Sequence, residues 1–126
     1  MRQISVEING VSYPLCYSVR VIKAGVERYG SMEAMSAAIF SADGAQSLDE
    51  RLWLLSQEMA AGARYAALSG LDAPEPLSVD DILDSAPGMQ LGELLAAAIN
   101  AVAAGSDTSI EAEPPKGKNA GATPES

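Results

Sequence analysis

The dipeptide Asn9-Gly10, which lies between two alternating apolar segments, constrains the fold of this chain more than any other feature. Three large apolar residues alternate with polar neighbours on each side of it: Ile4, Val6 and Ile8 before it, and Val11, Tyr13 and Leu15 after it. Asn-Gly favours a two-residue type I′ turn, because both residues readily adopt positive φ angles. The pattern therefore predicts an antiparallel β-hairpin in which Ile8 lies opposite Val11 and all six large side chains share one face.

The apolar face of this hairpin needs a cover, because an isolated two-stranded sheet is only marginally stable in water. Pro14 indicates an edge strand, since proline cannot donate a hydrogen bond to a neighbouring strand. The rest of the chain shows helical spacing. The sequence thus predicts a mainly α fold with a short N-terminal β-hairpin packed on a small helical bundle.

Start and stop signals divide this helical part of the chain. Ser18 and Gly30 bracket a first helix, and Ser31 begins a second. The expected inner positions are Val19, Ile22, Val26 and Tyr29 in the first helix and Met32, Met35 and Ile39 in the second. We expect the chain to turn around Asp43-Gly44 before the third helix.

The third helix is predicted to be the longest, from about Leu48 to Ser69. A capping box at 47–50 marks its start and Gly70 its stop. Its expected inner stripe is Leu48, Leu52, Leu55 and Met59. A proline-rich connector at 71–77 then leads to Ser78, which begins a fourth helix, and a Pro-Gly break precedes the last helix.

One domain, at 1–104, is expected to contain all of these elements. Residues 105–126 are dominated by Pro, Gly, Ser, Thr, Lys and Glu, and Ile110 is their only large apolar side chain. Such a segment buries too little apolar surface to order itself. The sequence predicts a disordered C-terminal tail.

Charge and composition exclude several classes of function. The formal net charge is −9, from 17 acidic and 8 basic side chains, which argues against nucleic acid because that binding depends on Lys and Arg. The longest small-apolar run, Leu94 to Ala104, is far shorter than the roughly 20 residues that span a bilayer. With one cysteine and no secretory signal pattern at the N-terminus, the sequence predicts a cytoplasmic protein.

Residues suited to catalysis are scarce. The chain has no histidine, which removes the usual general base and the commonest metal ligand. Cys16 has no basic partner motif nearby, and the acidic start of a helix explains Asp80 and Asp81. We therefore expect no catalytic residue, metal or cofactor; an enzyme would have to depend on carboxylates such as Glu50 or Asp81.

Apolar helical stripes are the features best suited to binding, although core packing is the ordinary explanation of any one stripe. The last helix follows a Pro-Gly break and is the first choice for a partly exposed face. The candidate partner-binding residues are Met59, Tyr65, Met89, Leu91, Leu95, Ile99 and Val102.

The hairpin sequence 8–15, INGVSYPL, and the segment Tyr29-Gly30-Ser31 resemble the start of tail assembly chaperones of long-tailed phages and prophages. The similarity continues through Gly62-Ala63-Arg64-Tyr65-Ala66 and the connector Pro74-Glu75-Pro76-Leu77-Ser78, and so covers roughly 4–104. The chain departs from the family pattern at Cys16-Tyr17.

The resemblance implies a protein that binds the tape measure protein, keeps it soluble and helps to recruit tail tube subunits. It also implies presence in the host cytoplasm and absence from the mature virion. Lys116-Gly117-Lys118 is compatible with a slippery codon sequence, and a frameshift there would give a longer product. Two alternatives remain: a structural tail or head-tail component, and a small bacterial protein-binding adaptor.

Overall fold

A computed structural model describes residues 4–40 and 44–106 of the chain. In order, the elements are β1 (Ile4–Ile8), β2 (Val11–Leu15), α1 (Val19–Tyr29), α2 (Met32–Phe40), α3 (Gly44–Leu68), α4 (Val79–Ser85), a short 3-10 helix (Gly88–Gln90) and α5 (Leu91–Ser106). The predicted fold class, mainly helical with an N-terminal β-hairpin, is confirmed.

The hairpin has the predicted register, with Ile8 opposite Val11, Val6 opposite Tyr13 and Ile4 opposite Leu15. Asn9 and Gly10 have φ angles of 53° and 82°, as a type I′ turn requires. The apolar face of the hairpin is not buried evenly. Val11 beside the turn is exposed and Ile4 half-buried, because the covering helices leave the two ends of the face partly open.

Helix α3 is the centre of the domain, since β2, α1, α2, α4 and α5 all contact it. It therefore buries side chains on more than one face, among them Leu52, Leu54, Leu55 and Met59. Its start differs from the prediction: the helix begins at Gly44, so Ser47 lies inside it and the box at 47–50 is not its cap. Residues 41–43, which include part of the expected turn, lie outside the described residues.

The predicted helix ends are confirmed at three places. Gly30 adopts a left-handed conformation, with φ 101°, and its N–H donates to the Val26 carbonyl. Gly70 follows α3 with φ 74°. Ser78 and Asp81 form a reciprocal capping box at the start of α4.

The inner face of α1 was predicted wrongly. Val19 is 82% exposed, whereas Val21 and Gly25 are buried. Gly25 lies against the Met35 side chain, so the face that meets α2 is centred there. The other expected inner residues of α1 are only half-buried.

The C-terminal boundary also shifts slightly. Helix α5 continues through Ser106, so the expected tail at 105–126 begins no earlier than position 107. Residues 107–126, including Ile110 and the segment Lys116-Gly117-Lys118, lie outside the described residues.

Ile8→Asp and Leu52→Asp should each unfold the domain, because both side chains are almost completely buried and an unpaired charge would enter the core. We expect a loss of more than about 3 kcal/mol in the free energy of unfolding, measured by urea denaturation. Val11→Asp is the matched control in the hairpin, since Val11 is exposed. Equal losses for Ile8→Asp and Val11→Asp would contradict the burial pattern.

Candidate protein-binding surfaces

The most unusual interior group is the carboxyl of Glu58 in α3. Its side chain is 0% exposed, and neither carboxyl oxygen has a hydrogen-bond partner among the described residues. Burial raises the pKa of Glu58 to about 10, because the charged form cannot be solvated there. The carboxyl is therefore neutral at pH 7.

Residues around Glu58 belong to the end of the hairpin. The backbone N–H of Cys16 donates to the Glu58 carbonyl over 3.1 Å, and the buried Cys16 side chain belongs to the core. Burial raises the pKa of the neighbouring Tyr17, and a charge on Glu58 would raise it further. Glu58 thus lies where the chain ends β2, leaves its contact with α3 and continues towards α1.

A polar and aromatic cluster joins α1 to α3. Arg28 donates to Glu50 through Nε and Nη2, each at 3.2 Å, and the Tyr29 hydroxyl donates to the same carboxylate oxygen. Arg28 also lies over the Trp53 ring, 4.8 Å from its centroid. Burial and the bond to Glu50 raise the pKa of Tyr29 to about 12. Glu50, on which catalysis by an enzyme would have had to depend, therefore serves to hold α1 against α3.

The first open apolar surface lies between α2 and α5. This methionine groove, of about 150 Å³, is formed by Tyr17, Met32, Met35, Ser36, Ile39, Phe40 and Val102. Met32 is 61% exposed and Phe40 is also exposed, whereas Met35 and Ile39 form the buried floor. The groove therefore offers flexible apolar side chains above a fixed base.

The second surface lies between the start of α1 and the end of α3. This arginine groove, of about 630 Å³, is formed chiefly by Val19, Arg20, Ile22, Arg64, Tyr65 and Leu68. Leu68 is 87% exposed. Among the described residues, no carboxylate lines the groove, although acidic side chains outnumber basic ones about two to one in the chain. Tyr17 lines both grooves and so separates them.

The third surface, the acidic face, consists of Leu83 and Leu91, which line one shallow pocket, together with Met89 of the 3-10 helix and the carboxylates of Asp80 and Asp84 on α4. All five side chains are exposed, and that of Met89 is 99% exposed. Gln90 donates to the Glu7 carbonyl and Asn9 donates to the Ser85 carbonyl over 2.7 Å. These bonds fix the 3-10 helix and the end of α4 to the hairpin.

The predicted partner-binding residues fall at different places. Met59 is buried in the core, which removes it from any surface of this conformation. Tyr65 lies in the arginine groove, Val102 in the methionine groove, and Met89 and Leu91 on the acidic face. Leu95 and Ile99 are half-buried against the core. The structure thus divides the predicted set among three surfaces and the interior.

Sequence reasoning missed Arg20, Arg64, Leu68 and Phe40 as surface-forming residues, and Glu58 as an interior carboxyl. Glu58 carried a signal, because it lies four residues after Leu54 and three after Leu55 and so shares their face of the helix. The grooves carried no such signal, since the arginine groove forms only when α1 packs on α3 and the methionine groove only when α2 lies beside α5.

Among residues 4–40 and 44–106, no group of three or more His, Cys, Asp or Glu side chains is arranged to hold a metal ion. Within the same part of the chain, the helices are too short or too polar to cross a membrane. Comparisons of this chain with protein-family models, with curated proteins and with solved structures gave no match. The resemblance to tail assembly chaperones therefore rests on its sequence motifs.

Proposed function

We propose that this protein is a tail assembly chaperone that binds apolar helical segments of a tape measure protein in the methionine groove. It would keep that long protein soluble in the host cytoplasm while tail tube subunits are recruited, and then leave before the virion is complete. The observation that carries the proposal is the exposure of Met32 and Phe40 above a buried apolar floor. The sequence motifs described above supply the link to phage tails.

The shape and chemistry of the methionine groove support a helical partner. A helix presents apolar residues three and four positions apart on one face, and such a stripe can enter a groove between two helices. Unbranched methionine side chains adapt to different partner side chains, which suits a chaperone that contacts many segments of one long protein. The net charge of −9 would help to keep the complex in solution.

Co-expression with a tape measure protein encoded beside this gene tests the proposal. The parent chain should keep the tape measure protein in the soluble fraction and co-purify with it. The double substitution Met32→Asp, Phe40→Asp should abolish both effects, because two charges would face the apolar stripe of the client.

Ala37→Asp is the matched control, since Ala37 is an exposed residue of α2 that does not line the methionine groove. It should retain the tape measure protein. The proposal is overturned if the tape measure protein is equally soluble without this chain, or if the double variant retains it while folded, as judged by circular dichroism.

A further inference from the structure

The arginine groove follows the last two turns of α3, and the end of α5 forms one of its edges. Ala61 and Gly105 both line the groove, whereas Leu52 and Leu94 line a common pocket further back along the same two helices. Helix α5 therefore runs beside α3 in the same direction. A chain that leaves α5 after Ser106 starts at the edge of the groove and faces its far end.

The groove combines exposed apolar side chains with positive charge. Val19 is 82% exposed and Leu68 is 87% exposed, and the exposed Arg20 and Arg64 line the same groove. Within the described part of the chain, neither of these arginines forms an ion pair. The groove thus fits a ligand that carries an apolar side chain and carboxylates.

We propose that the arginine groove is occupied by the segment that follows α5 in this same chain, residues 107–113, here called the tail segment. Its sequence, DTSIEAE, contains three carboxylates and no basic residue. Ile110, its single large apolar side chain, would contact Val19 and Leu68. The carboxylates would pair with the two arginines.

The tail segment is long enough to make these contacts. Leu68 lies seven residues after Ala61, which places it about 11 Å further along α3. The four residues from Ser106 to Ile110 span up to about 14 Å when extended. Because Gly105 lies level with Ala61 at the edge of the groove, Ile110 can reach the level of Leu68.

Attachment to α5 favours the tail segment over a ligand from solution. A segment with one large apolar side chain cannot fold by itself, but the walls of the groove are already formed by α1 and α3. A short connection between a ligand and its site gives an effective concentration in the millimolar range, so a contact with a Kd below about 1 mM is formed in most molecules. The groove is then closed to other acidic peptides until they displace the tail segment.

Competition for the groove tests the proposal. An acetylated and amidated peptide with the sequence of residues 107–113 is titrated into the full chain and into its Ile110→Lys variant, and binding is followed by NMR at the amide signals of Arg64 and Leu68. The variant should bind the peptide at least about threefold more tightly, because its own tail segment no longer fills the groove. Leu68→Asp with Arg64→Glu, at two exposed positions of the groove, should abolish peptide binding.

Ala120→Lys is the matched control, since it adds the same charge beyond the tail segment and should bind the peptide as the parent does. Without peptide, Ile110→Lys should shift the amide signals of Arg64 and Leu68, and Ala120→Lys should not. These shifts should be independent of protein concentration, because the contact is intramolecular. No tape measure protein is needed, so the result is independent of the function proposed above.

Three results would overturn the proposal. The first is that Ile110→Lys leaves the groove signals unshifted. The second is that the shifts fade on dilution, which would place the tail segment in the groove of a neighbouring copy. The third is that the peptide binds the parent and the Ile110→Lys variant equally well, or binds neither.

Discussion

Replacing Glu58 with glutamine should stabilise the protein by about 3 kcal/mol at pH 7. The folded state keeps this carboxyl protonated, because burial raises its pKa from 4.5 to about 10. The unfolded chain ionises it freely, and each pH unit above 4.5 favours unfolding by about 1.4 kcal/mol. Glutamine has nearly the shape of the protonated acid and cannot ionise. The unfolded state of the variant therefore gains no free energy from ionisation as the pH rises.

The pH dependence of the effect has a definite sign. Below about pH 4.5 Glu58 is protonated in both states, and the parent and the Glu58→Gln variant should have similar stability. Between about 4.5 and 10 only the unfolded chain releases the proton, so the parent loses stability as the pH rises. Urea denaturation at pH 5, 7 and 9 should show a difference that widens at each step.

Glu75→Gln provides the control for this experiment, since it removes the same charge from an exposed position in the connector. It should change the free energy of unfolding by less than about 0.5 kcal/mol at each pH. A constant difference between parent and Glu58→Gln from pH 5 to pH 9 would show that Glu58 is solvated in the folded protein.

The substitution Gly62→Ala should destabilise the domain by about 3 kcal/mol or more. A Cβ atom on Gly62 would lie 1.9 Å from the carbonyl oxygen of Pro14 and 2.5 Å from its carbon. Both are backbone atoms of β2, so the hairpin would have to move away from α3 to make room. The melting temperature should fall by more than about 10 °C, as measured by differential scanning calorimetry.

Gly92→Ala should have the opposite effect, which makes it the matched control. Gly92 lies in the first turn of α5, and a Cβ atom there meets nothing within 4 Å. Alanine should stabilise the helix by up to about 1 kcal/mol, because it loses less backbone entropy than glycine. If both variants lost stability equally, the close contact between β2 and α3 would be refuted.

Local signals in the sequence predicted the parts of the fold that depend on a few adjacent residues. Asn9-Gly10 specified the turn and hence the hairpin register. Gly30, Gly70 and Ser78 marked helix ends, because a left-handed C-terminal residue or a side-chain cap depends on the backbone at that place. These features need no knowledge of the tertiary structure.

Predictions of which face a helix buries were less successful, because burial depends on neighbours distant in the sequence. Val19 had the right spacing for an inner position but is the first residue of α1 and lies beside an open groove. Met59 was expected both on the inner stripe of α3 and at a partner. Because α3 is surrounded by other elements and buries Met59, the inner position is confirmed and the partner contact is contradicted. Glu58 was missed even though it shares a helix face with Leu54 and Leu55, because only the packing of other elements around α3 shows that this face is fully buried.

The exposed apolar surfaces were predicted only in part. Met89 and Leu91 followed from the Pro-Gly break before α5, and both are exposed. Arg20 and Arg64 are 44 residues apart in sequence and become neighbours of one groove only through the packing of α1 against α3. No periodicity within either helix contains that information.

Tyr17 makes the two grooves dependent on each other. It is a wall of both, and its backbone lies so close to Gly105 that a Cβ atom there would be 2.7 Å from the Tyr17 carbonyl oxygen. A ligand that displaces the Tyr17 ring from one groove therefore reshapes the other. Any resulting change in affinity must be reciprocal: if a ligand of the methionine groove weakens binding in the arginine groove by some factor, a ligand of the arginine groove weakens binding in the methionine groove by that same factor.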